Sequence, residues 1–365
     1  MKQGPPIPRL GPREMMLTTV AIMSSKIFLG FPRVLIERDA QAAWLAALLT
    51  PLPAILGLTL LTAVMADFPG QPLTAVIRQV FPVPLALVAL LFTWLYLLGL
   101  DGVLIRDFAE AALVTTLPEA STIVLLFLLL GIVGYSLYQG IEPLSRIAAL
   151  FFWPLVLGLL AIYGLGAHSG SLLNLTPVFG AGPLPILRDG FLFSSAYIGL
   201  YFLLVFAPGL GAIERTRKIG LDALVWSGVI IAGAEAVSVL VFGYPVAAEF
   251  TMPLFQVART IFFGRFFQRI EAVFTFTWMV SGGITVMGAS WLILQMACEI
   301  LRVEDRRPLV LPILALLFAV ALLPRSFQSA LRLDATARLF GAVVVLGLPV
   351  LLWLAWLWRR RRAKQ

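Results

Sequence analysis

Two residues of this chain stand where ionic chemistry is least expected. Lys26 and Glu235 are the only formal charges inside long apolar runs. A charge facing lipid unpaired at a bilayer's centre costs about 2.5–3.5 kcal/mol on insertion scales. Such groups are set against each other, against backbone carbonyls or against a ligand. A buried Lys holds a carboxylate or takes a cation's place, and a buried Glu carries a proton or pairs with the Lys. Lys26 lies 11 residues beyond Met15, and Glu235 lies 12 beyond Ala223. At about 1.5 Å per residue both reach roughly 16–18 Å into a core about 30 Å thick. Matched depth admits a static ion pair between two helices or a coupling pair at a ligand site.

The surroundings of Lys26 carry the second signal. The stretch reads Ser24-Ser25-Lys26-Ile27-Phe28-Leu29-Gly30-Phe31-Pro32, small hydroxyls and a charge followed by Gly and Pro. A later stretch, Phe193-Ser194-Ser195-Ala196-Tyr197-Ile198-Gly199-Leu200-Tyr201, is similarly polar and is followed by Pro208 and Gly209. Helices interrupted in this way expose backbone groups that can meet a small ligand near the membrane midplane. The substrate-binding candidates are therefore Ser24, Ser25, Lys26 and Gly30 from the first stretch, with Tyr197, Gly199 and Tyr201 from the second. Trp94 and Ser281 join them, because hydroxyls can hydrogen-bond a small zwitterion while aromatic faces exclude water. Asp101, Arg106, Asp107 and Glu110, and likewise Arg188 and Asp189, read as solvated charges just beyond the ends of spans, or as an outer gate.

Other chemistry is disfavoured. His168 is the sole histidine and Cys298 the sole cysteine, so no metal-ligand cluster and no internal disulfide are expected, and no cofactor is implied. A Ser, His and Asp set at membrane depth, a Walker loop and a dinucleotide fingerprint are all missing from the sequence, which argues against an enzyme.

The elements that must position these residues follow from composition. Of 365 residues 60% are apolar and only 13% charged, far from a soluble domain's balance of near half and a quarter. Apolar runs long enough to span a bilayer recur along the chain: 15–31, 42–65, 82–100, 120–139, 147–167, 190–213, 223–244, 272–298, 308–324 and 339–358. Ten spans place both termini on one side. With them inside, 16 Lys and Arg face the cytoplasm against 10 outside, as the positive-inside bias requires. The formal charge of +8 is thus topogenic, with no nucleic-acid face. The Arg359 to Arg362 tail anchors the C-terminus inside. Five spans per half force the halves, about 13–167 and 186–358, into opposite orientations, so the fold class expected is all-α and integral to the membrane, an inverted repeat whose first and sixth helices are broken. Outside, 245–271 places Phe255, Ala258, Phe262 and Phe266 at helical spacing, an amphipathic connection on the outer interface or a lid.

Three stretches then carry a resemblance. Ser25 to Leu29 leading to Pro32-Arg33, Pro253-Leu254-Phe255-Gln256 through Arg259 to Gln268-Arg269-Ile270-Glu271-Ala272, and Arg307-Pro308-Leu309-Val310-Leu311-Pro312 resemble the spore germination permeases. These are the B subunits of nutrient germinant receptors, within the amino-acid/polyamine/organocation superfamily. The match runs through the whole chain. It implies a subunit of the spore inner membrane that binds a small, amino acid-like germinant and works with A and C subunits. The same fold also serves proton- or cation-coupled amino-acid symporters. The chain departs from the superfamily at Ser24-Ser25-Lys26, where a Gly-rich break is usual, and at Tyr201, where many relatives carry an acid.

Overall fold

A computed structural model describes residues 10–180, 182–261 and 271–362, and among them every regular element is helical. Helices satisfy their own backbone hydrogen bonds, the condition for lying in hydrocarbon. The chain opens with α1 (Pro12–Ser24), a 3₁₀ turn at Ser25–Phe28 and α2 (Phe31–Asp39), then α3 (Ala43–Leu49) and α4 (Pro51–Met65). Short α5 (Leu73–Val80) precedes α6 (Val83–Thr115), α7 (Thr122–Gln139) and α8 (Ile141–His168). The second interruption comprises α9 (Pro183–Leu192), a 3₁₀ turn at Phe193–Tyr197, and α10 (Leu200–Val205). The remainder is α11 (Ile213–Phe242), α12 (Tyr244–Ala247), α13 (Pro253–Thr260), α14 (Glu271–Leu301), α15 (Arg307–Ala321), α16 (Phe327–Ala342), a π-helical turn at Val343–Gly347, and α17 (Leu348–Arg362).

Among the described residues, seven helical stretches are long and apolar enough to cross a membrane, and they coincide with the second, third, fourth, fifth, seventh, eighth and tenth apolar runs. The ninth run is the shorter apolar α15. The first and sixth runs are divided by their 3₁₀ turns into pieces too short to span alone. The chain is a multi-pass membrane protein.

Burial separates inner from outer helices. In α14 and α11, 72% and 56% of the apolar window is buried, against 28% in α6 and 33% in α7 and α8. Broken α1 packs against α8, α11 and α14, so the interrupted helix lies at the centre. Leu91, Leu95, Phe127, Leu128, Leu157 and Leu160 are exposed on outer helices, the surface that hydrocarbon covers.

Two expectations change. Helix α6 does not stop at Leu100; it continues to Thr115, and Asp101, Arg106 and Asp107 are buried. Asp101 and Arg106 find partners there. Ser290 Oγ donates to Asp101 Oδ2 at 2.7 Å, and Arg106 bonds Glu110 at 2.8 Å and the Ala321 carbonyl at 3.3 Å. Asp189 is likewise fully buried, not solvated: Arg38 Nε and Nη2 donate to it at 2.8 Å each, and Arg188 joins at 2.8 and 3.0 Å. Burial alone would raise its pKa, but the two guanidiniums more than offset this and hold the carboxyl below its ordinary range. The 245–271 connection contains α13. Phe255 and Ala258 are buried, and the helix packs on α8, α11 and α14. Phe262 and Phe266 fall outside the described residues.

Candidate functional site

The two interruptions meet through Lys26. Its side chain rises from the 3₁₀ turn after α1, and Nζ donates to the carbonyl of Ala196 in the 3₁₀ turn after α9. That carbonyl is available because the second helix is unwound there. Lys26 is only 7% exposed, so its ammonium has left water for a backbone dipole and a cavity.

The cavity beside it holds about 60 Å³ accessible to the centres of water molecules, space for a few waters or a compact solute. Ser25, Lys26, Gly199, Asp101, Thr285 and Arg338 supply its polar and glycine lining, and the rest is apolar, including Ile22, Leu97 and Phe202. Gly199 is also closely packed. A Cβ there would lie 3.1 Å from both Ile22 Cγ2 and Met23 Cγ, so glycine lets α10 approach α1 across the cavity wall.

Beyond Arg338 the two broken segments touch again. Phe31 and Phe193 meet edge-on at 6.0 Å between centroids, with the Arg338 guanidinium 5.4 Å from the Phe31 ring and that of Arg38 5.5 Å from the Phe193 ring. A cation over an aromatic face is attracted by its quadrupole. The order from the cavity is thus Arg338, a Phe pair, then the buried Arg38–Asp189 bridge.

The other candidates are placed as follows. Ser24 and Ser281 share a smaller adjoining cavity of about 20 Å³, with Ser24 Oγ turned to the Val20 carbonyl at 2.8 Å. Gly30 packs under Leu331 of α16. Trp94 Nε1 donates to Ile293 O at 3.0 Å, tying α6 to α14. Tyr197 Oη meets Thr50 Oγ1 at 3.2 Å, and Tyr201 Oη donates to Val344 O at 2.7 Å in the π-helical turn. A π-turn disturbs the regular hydrogen-bond ladder, which leaves that carbonyl an external partner. Trp94, Tyr197 and Tyr201 thus spend their polar atoms on neighbouring helices, away from the cavity lining.

Lys26 and Glu235 form no ion pair. The ammonium lies on Ala196, while both Glu235 carboxyl oxygens are buried without a hydrogen-bond partner among the described residues. Equal depth did not bring them together, because side-chain direction around the helix axis decides contact, and the Lys26 turn faces the second interruption.

Asp101, Thr285 and Arg338 are polar lining residues that the sequence reading missed. Asp101 resembles a span boundary in hydropathy, and Arg338 immediately precedes the tenth apolar run, so both look like interface charges. The signal available was the i, i+4 pairing of Asp334 with Arg338, which lets a charged turn be buried. Arg338 Nε donates to Asp334 Oδ2 at 2.7 Å, with the side chains only 7% and 11% exposed. Helix α16 reaches this position by packing on α6 and on the 3₁₀ turn after α9. A Cβ at Gly341 would lie 2.2 Å from Ser195 Cβ and 2.2 Å from Tyr96 Oη, so only glycine permits that approach.

Comparison with known proteins settles the family. The profile described as "Spore germination protein" matches residues 9–329. The chain belongs to this spore germination permease family. Curated relatives agree: Spore germination protein KB of Bacillus subtilis (strain 168) is 28% identical over 203 residues, 53% of each chain. Thus the match to that relative spans about half its length. Putative spore germination protein YfkT of the same organism is 25% identical over 72% of each chain, and YndE is 21% identical over 92% of this chain and 93% of its own. Among solved structures, a Na+-coupled sialic acid symporter in a substrate-bound outward-open state superposes with a TM-score of 0.59, at 13% identity, over 95% of this chain and 75% of that one. The helical fold is therefore similar to that symporter's.

Proposed function

We propose that the protein is the membrane subunit of a spore nutrient germinant receptor that binds a small, amino acid-like germinant in the Lys26 cavity. The reading rests on one observation above all: two interrupted helices are joined by Lys26 and Ala196 at the wall of a small cavity, in a chain of the spore germination family. Ser25, Lys26 and Gly199 form the ligand's contacts, with Ser24 and Ser281 behind them. Gly30, Trp94, Tyr197 and Tyr201 hold the surrounding helices in place. The seven long helices, α15 and the two broken elements make ten crossings as a five-plus-five inverted repeat, with N- and C-termini in the cytoplasm, in the spore inner membrane or the cell membrane. Germinant binding shifts the population of conformations, and A and C receptor subunits read that shift; a ligand can do this only by preferring one state.

A cation-coupled symporter is the second reading, favoured by the fold's likeness to a Na+-coupled symporter and by the unpartnered carboxylate of Glu235 at membrane depth. The two are separated by uptake of labelled amino acids into proteoliposomes holding the purified chain, with and without a pH or Na+ gradient. Ligand-dependent thermal stabilisation with no accumulation supports the receptor. Gradient-dependent, saturable accumulation overturns a pure sensor.

A further inference from the structure

The cavity contains a second cation, and its geometry differs from that of Lys26. Arg338 comes from α16, beyond the 9–329 stretch that matches the family. Its only hydrogen bond among the described residues runs from Nε to Asp334 Oδ2. The two terminal nitrogens, Nη1 and Nη2, have no partner, yet neither is among the sealed, unsatisfied atoms, and the residue lines the cavity. The fork of the guanidinium thus has open space in front of it. Phe31 lies at 5.4 Å from Cζ and backs the guanidinium.

A planar guanidinium oriented by one carboxylate and left with free N–H donors fits the two oxygens of a second carboxylate, which a point-charge ammonium cannot match. Lys26 is meanwhile engaged with the Ala196 carbonyl. The remaining cavity wall is largely apolar, and Asp101 Oδ1 stands buried and unpartnered. Space for only a few waters excludes a bulky anion such as a nucleotide or a sugar phosphate.

We infer that Arg338 is the specificity-determining residue of the cavity, receiving the carboxylate of a compact ligand through its free guanidinium nitrogens, with Asp334 as the positioning residue that aims it. The inference rests on the cavity's being the ligand site. The ligand's acid group seats at α16, and its remainder lies among Ile22, Leu97 and Phe202. Ligand entry then adds a bond between α16 and the two broken helices.

The test uses the purified full chain in lipid nanodiscs and two matched probe pairs: L-alanine with L-alaninamide, and L-valine with L-valinamide. Each amide keeps size and ammonium but loses the carboxylate. Wild type is expected to bind at least one acid more than tenfold more tightly than its amide, read by thermal stabilisation and by titration. Arg338→Gln abolishes that preference while leaving amide binding unchanged, which also shows that the variant is folded. Arg338→Lys restores a part of it. Asp334→Asn separates anchoring from structural pairing. If Arg338 served only to neutralise Asp334, Asp334→Asn and Arg338→Gln would both weaken the fold and leave any acid preference alone. With the anchor in place, Asp334→Asn leaves the guanidinium but loosens its aim, so the acid preference falls part of the way toward that of Arg338→Gln; an undiminished preference overturns the positioning role of Asp334. The double variant, Asp334→Asn with Arg338→Gln, removes the buried pair together and must behave as Arg338→Gln. Persistence of the acid preference in Arg338→Gln overturns the assignment of Arg338 while the cavity stands. Failure of wild type to bind any of the four probes overturns the assignment to small carboxylates.

Discussion

Gly341 offers a test whose magnitude can be worked from coordinates. A methyl group there would lie 2.2 Å from Ser195 Cβ and 2.2 Å from Tyr96 Oη, where non-bonded carbons rest at about 3.5–4.0 Å. The overlap exceeds 1 Å, and Ser195 Cβ, fixed to the unwound backbone, cannot swing aside as the tip of a long side chain would. Gly341→Ala must therefore push α16 outward by roughly 1 Å, a deformation of the size that overpacking charges at about 1–3 kcal/mol. Arg338 lies three residues earlier, about one turn away, and moves with the helix, so binding of the carboxylate probe is expected to fall more than tenfold. Gly164→Ala is the control, since a Cβ in that α8 position meets nothing within 4 Å. Both variants would be assayed as purified protein by thermal unfolding and by titration. A Gly341→Ala protein as stable as Gly164→Ala, with undiminished binding, would refute the packing of α16 on the second interruption.

Further predictions concern the buried charges. Lys26→Met keeps the side chain's length but removes its bond to Ala196, which is worth about 1.5–3 kcal/mol for a charged donor and is offset by the desolvation of a buried ammonium; Tm is expected to shift little while ligand response is lost, and an unchanged response would remove Lys26 from the site. Glu235→Gln replaces a buried carboxyl that has no partner and should leave Tm equal or higher; a large fall would reveal a partner for its charge. The exchange Lys26→Glu with Glu235→Lys should yield no more folded protein than the worse single variant, because the two side chains do not pair; rescue above both singles would contradict the geometry. Asp189 is held below its ordinary pKa by Arg38 and Arg188, so its stabilisation is complete above the unfolded carboxylate range near pH 4 and fades only as pH falls through the lower folded value. Asp189→Asn should therefore lower Tm equally at pH 5 and pH 8, and a loss confined to one of them would break the argument.

The positions of the interruptions were legible because local chemistry causes them. Ser24-Ser25 offers hydroxyls that compete for backbone carbonyls, Gly30 and Pro32 weaken the helix ladder, and the 3₁₀ turn falls at Ser25–Phe28. The second stretch behaves likewise at Phe193–Tyr197. What hydropathy could not reveal is which charge is buried. Asp101 and Asp107 end an apolar run in sequence, yet α6 carries them inward where Ser290 and α16 await. Arg338 is some 312 positions from Lys26 in the chain, and only tertiary packing brings both to one cavity. Trp94, Tyr197 and Tyr201 show why residue type alone decides little, since an amphipathic aromatic suits a ligand and a neighbouring helix equally well, and these three bond Ile293, Thr50 and Val344.

The most direct measurement is equilibrium binding of a panel of labelled L-amino acids to the purified wild-type chain and to Lys26→Met, in the same lipid and at matched folded fraction. Saturable binding of at least one of them by wild type, lost in Lys26→Met with Tm preserved, is the result expected of a ligand site where the broken helices meet. Binding that survives the substitution undiminished, or that is missing from wild type across the panel, would contradict it.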